Sequence, residues 1–231
     1  ALKANTTGAY NNAFGTGALQ TNTTGCGNTA VDHALVLNTT GCFNVAMGRS
    51  ALYDNTTGKS NIAIGLESLS NNTTACWNVA VGGCALFTNT TGAYNTAIGY
   101  QALVKNTTAA SNTAVGFRSL CANTTGTANT AMSDSALRAN TTGGSNTALG
   151  MSTLQQNTTA SYNTGVGLNA LNSNTTASWN TAVGSNALNK NTTATHNTAI
   201  GNRALMNNTT GASNTASGSY SLYKNTTGSS N

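Results

Sequence analysis

From Asn89 to Lys105 the chain reads NTTGAYNTAIGYQALVK, and variants of this unit run through all 231 residues. The opening tripeptide Asn-Thr-Thr occurs fourteen times, at Asn5, Asn22, Asn38, Asn55, Asn72, Asn89, Asn106, Asn123, Asn140, Asn157, Asn174, Asn191, Asn208 and Asn225. Twelve of the thirteen intervals are 17 residues long, and only Asn22 to Asn38 is 16. A fixed period this short makes each copy one coil that cannot bury its apolar side alone, so copies must stack. The period argues for a rod and against an enzyme.

With Asn89 as position zero, a second asparagine stands six residues on (Asn95) in every copy. Alanine stands eight on (Ala97), replaced once by Gly165, and an apolar residue nine on (Ile98), failing only at Ser217. Glycine usually follows (Gly99), and the leucine at fourteen on (Leu103) is never replaced. The Asn, Gly and Thr content is poor for a helix, and no apolar i, i+3, i+4, i+7 pattern occurs. The Thr/Val/Ile residue at seven on and the apolar residue at nine on fit a strand.

The expected fold is all-β: a parallel β-solenoid (β-roll or β-helix) with one ~17-residue coil per repeat and about 13–14 coils stacked at about 4.8 Å. Residues 1–231 read as a single repeat array without separate domains. Each coil is expected to carry two short strands, with αL conformations at the asparagine and glycine corners. Leucine and the Ile/Val position would ladder down a thin core, and stacked asparagines would form amide ladders. Alanine at eight on would then face the other way. Its ban on size predicts a close approach there, so Ala97 and Ala114 mark an association face for a filament or homo-oligomer.

Only 6% of residues are charged, there is no proline, and the net charge is +5. No basic run interleaved with aromatics suggests a nucleic-acid groove. No apolar stretch is long enough to span a membrane, and no signal peptide is recognisable. The chain starts and stops mid-unit without a capping repeat, which predicts a window of a longer array.

Each Asn-Thr-Thr is also an Asn-x-Thr acceptor for N-glycosylation, so the fourteen asparagines are candidate carriers of covalent glycans. The alternative is a β-branched threonine ladder beside an asparagine corner. Five cysteines occur. Cys26 and Cys42 take the same place in adjacent coils, within disulfide reach. They read either as a vertical disulfide or as small apolar substitutions.

No spacing suits a metal, and no cofactor is expected. The carboxylates Asp32, Asp54, Glu67 and Asp134 occupy different coil positions, so no acid–base pair and no catalytic residue is expected. His33 and His196 read as exposed loop residues. The aromatics five on (Tyr10, Phe43, Trp77, Tyr94, Tyr162, Trp179) form an interrupted stripe that could pack over a corner, or stack on sugars or a neighbouring rod. Asn at zero and Thr at two on, stacked on one face, would resemble an ice-binding array.

The segments Asn95-Thr-Ala-Ile-Gly-Tyr-Gln-Ala-Leu103 and Asn197-Thr-Ala-Ile-Gly-Asn-Arg-Ala-Leu205 resemble the head repeats of trimeric autotransporter adhesins. Those read roughly NSVAIG and build a left-handed parallel β-roll. Similar arrays look like the repeat shafts of phage and viral tail fibres. The unit here is longer, and its Asn-Thr-Thr insert has no counterpart in the adhesin repeat. The resemblance implies an extracellular, cell-surface or virion-surface location and a fibrous or adhesive role. The expected function is a structural fibre shaft. Alternatives are an adhesin or tail-fibre shaft with a binding tip elsewhere, and an ice-binding solenoid.

Overall fold

The segment seven to nine residues after each Asn-Thr-Thr asparagine from Asn5 to Asn208 forms a strand, and it is the only strand of its coil. The computed structural model describes residues 1–231 and contains thirteen such three-residue strands and no helix. By its contacts the chain divides into two units, Ala1–Asn112 and Thr113–Asn231. The first holds β1 (Asn12–Phe14), β2 (Thr29–Val31), β3 (Val45–Met47), β4 (Ile62–Ile64), β5 (Val79–Val81) and β6 (Thr96–Ile98). The second holds β7 (Thr113–Val115), β8 (Thr130–Met132), β9 (Thr147–Leu149), β10 (Thr164–Val166), β11 (Thr181–Val183), β12 (Thr198–Ile200) and β13 (Thr215–Ser217).

Within each unit, consecutive strands pair in parallel and in register, so equivalent residues stack: Ala80 on Ala97 in the first unit, Ala182 on Ala199 in the second. Each unit is a β-solenoid with a 17-residue coil, as the period requires. The remainder of the coil is corners rather than a second strand. The corners are laddered as well, with Leu86 N–H donating to Ala102 O at 3.0 Å and Leu137 N–H to Thr153 O at 3.0 Å.

The left-handed residues are not the asparagines of the two fixed series. They recur at five, ten, twelve and fourteen on: Tyr94 (φ 60°), Gly99 (φ 125°), Gln101 (φ 57°) and Leu103 (φ 52°). The position ten on, glycine in all coils but those of Asp32 and Ser133, favours glycine for a second reason as well. A Cβ on Gly82 would lie 2.8 Å from the Gly99 backbone of the next coil. At fourteen on, the αL backbone costs leucine about 1–2 kcal/mol. Burying its side chain contributes roughly 1.5–3 kcal/mol, enough to hold it there.

The interior consists of the two asparagines, the Gly/Ala at three on, the alanine (once Gly165) at eight on, the Ala, Ser or Thr at thirteen on, and the leucine. Leu103, Leu154 and their interior equivalents are fully buried, as the pattern predicts. The strand, however, faces the opposite way from expectation. Ala97 and Ala114 are fully buried, whereas Ile98 is 40% exposed and Ile200 47%. The ban on size at eight on therefore comes from the coil's own second layer and not from a neighbouring chain, so Ala97 and Ala114 are not an association face. Ala97→Glu is accordingly expected to unfold the coils around it, by burying an unpaired charge. Loss of the β circular-dichroism signal would show this; a folded protein with altered sedimentation would contradict it.

The 16-residue coil shortens one corner without breaking the stack. Asp32 takes the left-handed place of the glycine (φ 69°), and His33 O still accepts Ser50 N–H at 2.9 Å. The missing residue is therefore the left-handed one at twelve on. Leu35 stays fully buried, and β2 pairs with both β1 and β3.

Candidate functional site

The asparagines that open each coil point inward. Asn55 Nδ2 donates to Asn38 Oδ1 at 2.8 Å and to Gly58 O at 3.2 Å. Asn157 Nδ2 donates to Asn140 Oδ1 at 2.8 Å and to Ala160 O at 3.0 Å. Both amide protons are therefore committed, one along the ladder and one across the corner. Asn22, Asn38, Asn55, Asn72, Asn89, Asn106, Asn123, Asn140, Asn157, Asn174, Asn191 and Asn208 are fully buried, while Asn5 and Asn225 are half-buried.

A sugar on Nδ2 would replace a bonded proton and would need space that the interior lacks. The twelve buried asparagines are therefore not glycan sites in the folded coil. At Asn225, too, both protons are bonded, to Asn208 Oδ1 and Gly228 O. Asn5 Nδ2 donates only the corner bond, to Gly8 O at 2.9 Å, while its Oδ1 accepts from Asn22 Nδ2 at 2.8 Å.

The second asparagine series forms a parallel ladder. Asn61 offers its backbone N–H to Asn44 Oδ1 at 3.0 Å, and its Nδ2 to the same oxygen and to Ala75 O at 2.8 Å. The carbonyl at three on thus collects both series: Ala160 O accepts from Asn157 and from Asn146. One buried polar atom, Asn197 Nδ2, has no partner, and nothing in the structure explains it.

The two threonines of each triplet differ. The first bonds to the next coil, as Thr56 Oγ1 to Thr73 O at 3.0 Å and Thr141 Oγ1 to Thr158 O at 3.0 Å. The second is exposed in all fourteen coils, with no protein partner for its hydroxyl. Asparagine at zero and threonine at two on therefore do not share a face; the threonine row stands alone.

Two other features line the outside. Each unit carries an outward apolar strip of its own: Ile62, Ile64, Leu66, Ile98 and Tyr100, at seven, nine and eleven on, in the first, and Met132, Met151, Leu168, Val183 and Ile200, at nine and eleven on beside threonine at seven on, in the second. The aromatics five on form a second, exposed row in which two neighbouring pairs stack. Trp77 lies on Tyr94 at 5.0 Å and 3°, and Tyr162 on Trp179 at 4.2 Å and 10°, with His196 continuing that row. The stacked ring faces meet each other between successive coils. His33 stacks on Tyr53 at 5.5 Å.

The ionisable groups are scattered. Glu67 lies 3.7 Å from the Cys84 thiol, and burial together with the Glu67 charge raises the Cys84 pKa. Asp134 accepts from Ser135 at 2.6 Å. Cys26 and Cys42 are free thiols with their sulfurs 3.3 Å apart; the bond to Cys42 and burial raise the Cys26 pKa. No group of three or more His, Cys, Asp or Glu stands together as a metal site. No helix is long and apolar enough to cross a membrane.

Comparison of the chain with protein-family models gives no match, and comparisons with curated proteins and with solved structures give none either.

Proposed function

We propose that this chain is a structural shaft, exposed outside the cell or on a virion, whose coils associate laterally with a second copy of the same chain. The observation that supports this is the outward apolar strip. Soluble monomers rarely leave contiguous apolar patches of more than a few hundred Å² uncovered. With 6% charged residues, this chain has little charge with which to keep such strips apart. A second copy presents the same row at the same coil spacing, so apolar rows can meet along their length.

The test is sedimentation of the wild type beside Met132→Lys/Ile200→Lys. Both side chains are exposed, so stability should change by no more than about 0.5 kcal/mol. Self-association of the wild type that the double variant loses supports the shaft. A wild type that stays monomeric at all concentrations removes it. Electron micrographs of intact protein separate continuous fibres from stalks that end in a distinct head, as an adhesin or tail fibre would have.

A second reading rests on the threonine row at two on, exposed in every coil while most other outward positions vary. Such a row suits a surface that orders water or ice. An ice-recrystallisation assay decides this. Inhibition by the wild type, lost in Thr142→Tyr/Thr159→Tyr/Thr176→Tyr, supports it, and no inhibition by the wild type ends it.

A further inference from the structure

The single 16-residue coil is the irregular element of the first unit. A regular corner is closed by a turn bond from the residue at thirteen on back to the glycine at ten on, as Ala51 N–H to Gly48 O at 3.1 Å and Ala85 N–H to Gly82 O at 3.3 Å. With the residue at twelve on missing, Ala34 N–H makes no such bond to Asp32 O. The coil from Asn22 to Leu37 thus has one closing bond fewer than the coil that follows it; in the N-terminal coil before it, Ala18 N–H likewise makes no bond to Gly15 O.

At four on, the same coil carries Cys26, and the coil stacked on it carries Cys42. This is the one place where two neighbouring coils both carry cysteine at the same position. The backbone holds the pair in register: Phe43 N–H donates to Cys26 O at 2.9 Å, and Asn44 N–H to Asn28 Oδ1 at 3.0 Å. Cys26 N–H points at Cys42 Sγ at 3.2 Å, and the sulfurs are 3.3 Å apart. Both residues are half-buried and within reach of a small thiol reagent.

We infer that Cys26 and Cys42 are an intrachain disulfide site that staples the short coil to its neighbour. The segment closed by this bond runs once around the solenoid and contains the shortened corner, so the link sits where the coil lacks its turn bond. The oxidant is a low-molecular-weight disulfide such as oxidised glutathione. One protein thiolate attacks it, forming a mixed disulfide and releasing one glutathione thiolate. The second protein thiolate, already adjacent, attacks the protein sulfur of that adduct and displaces the other. Two protein thiols lose two protons and two electrons, and glutathione disulfide is reduced to two thiols. Spacing of coils by about 4.8 Å lies within the Cα separation that a disulfide spans, so closure needs side-chain rotation rather than movement of the coils.

The experiment equilibrates the full chain with reduced or oxidised glutathione, then counts thiols after denaturation and maps the linked peptides by mass. The reduced chain has five free thiols. The expected oxidised chain has two fewer, with Cys26 joined to Cys42 and Cys76, Cys84 and Cys121 still titrating. Limited proteolysis within residues 29–37 should be at least about tenfold slower in the oxidised protein, because local opening limits cleavage. Cys42→Ser should be cleaved at one rate in either buffer. Five thiols after oxidation, a lasting glutathione adduct, a link between other cysteines, or equal cleavage of both wild-type forms overturns the inference.

Discussion

Asn157→Asp is expected to cost about 3–5 kcal/mol at neutral pH, the effect of leaving a buried charge without a partner. The substitution keeps the shape and exchanges the amide for a carboxylate. Asn157 Nδ2 donates to Asn140 Oδ1 and Ala160 O; a carboxylate has no proton for either and sets its own charge against two oxygens. Asn174 Nδ2, which donates to Asn157 Oδ1 at 3.0 Å, would still find an acceptor, so the loss is confined to the donor side. Gln156→Glu is the control: the neighbouring side chain is exposed and should change stability by no more than about 0.5 kcal/mol.

The pH dependence carries a sign. Burial and the facing oxygens raise the folded-state pKa of the introduced carboxyl above the unfolded value of about 3.9. Between those two values the folded state holds more protons than the unfolded one, so stability falls as pH rises. The variant should recover stability relative to wild type as pH drops toward about 4, when the neutral acid donates one bond. Equal denaturation midpoints for Asn157→Asp and Gln156→Glu at neutral pH would count against a buried amide ladder.

Leu154→Ala should destabilise by about 2–5 kcal/mol, the range for emptying a fully buried leucine site. Leu154→Gly should do no more harm than Leu154→Ala, against the usual order. Glycine is ordinarily about 0.5–1 kcal/mol worse than alanine in regular structure. Leu154, however, has φ 51°, where a β-carbon is strained by about 1–2 kcal/mol and glycine is not. Denaturant titration of the three proteins checks this. A glycine variant less stable than alanine by about 1 kcal/mol would show that the corner is not left-handed.

The period and the leucine were legible because both follow from repetition itself. Asn89 recurring every 17 residues sets the coil, and Leu103, the one large residue never replaced, can only be interior. The direction of the strand was not legible from hydrophobicity. In Thr96-Ala97-Ile98 alternation shows that Ala97 opposes its neighbours but not which side is inside. Transfer energy favours Ile98. The thinness of the coil decides for Ala97, because the interior opposite it is already filled by leucine, alanine and two asparagines. The ban on size at Ala97 was the correct signal and pointed inward.

The asparagines misled for a different reason. An Asn-x-Thr acceptor and an asparagine ladder beside a bonded threonine are the same three letters. Asn95 breaks the degeneracy, for it is as constant as Asn89 with no threonine two residues on. Constancy in that series could only be structural, and the two series meet at one carbonyl. Left-handed leucine could not be read at all, since αL preference points to Gly or Asn. The burial of the leucine side chain overrides that local preference.

The most direct test of the account is hydrogen exchange at the asparagine side chains, followed by NMR on protein labelled with 15N at asparagine. If the ladders are buried and bonded, the Nδ2 protons of Asn55, Asn61, Asn146 and Asn157 exchange only when their coils open, and their protection matches that of the backbone amides of Val79 and Thr164. Exchange of those side-chain protons at the rate of free asparagine, with the backbone strands still protected, would contradict it.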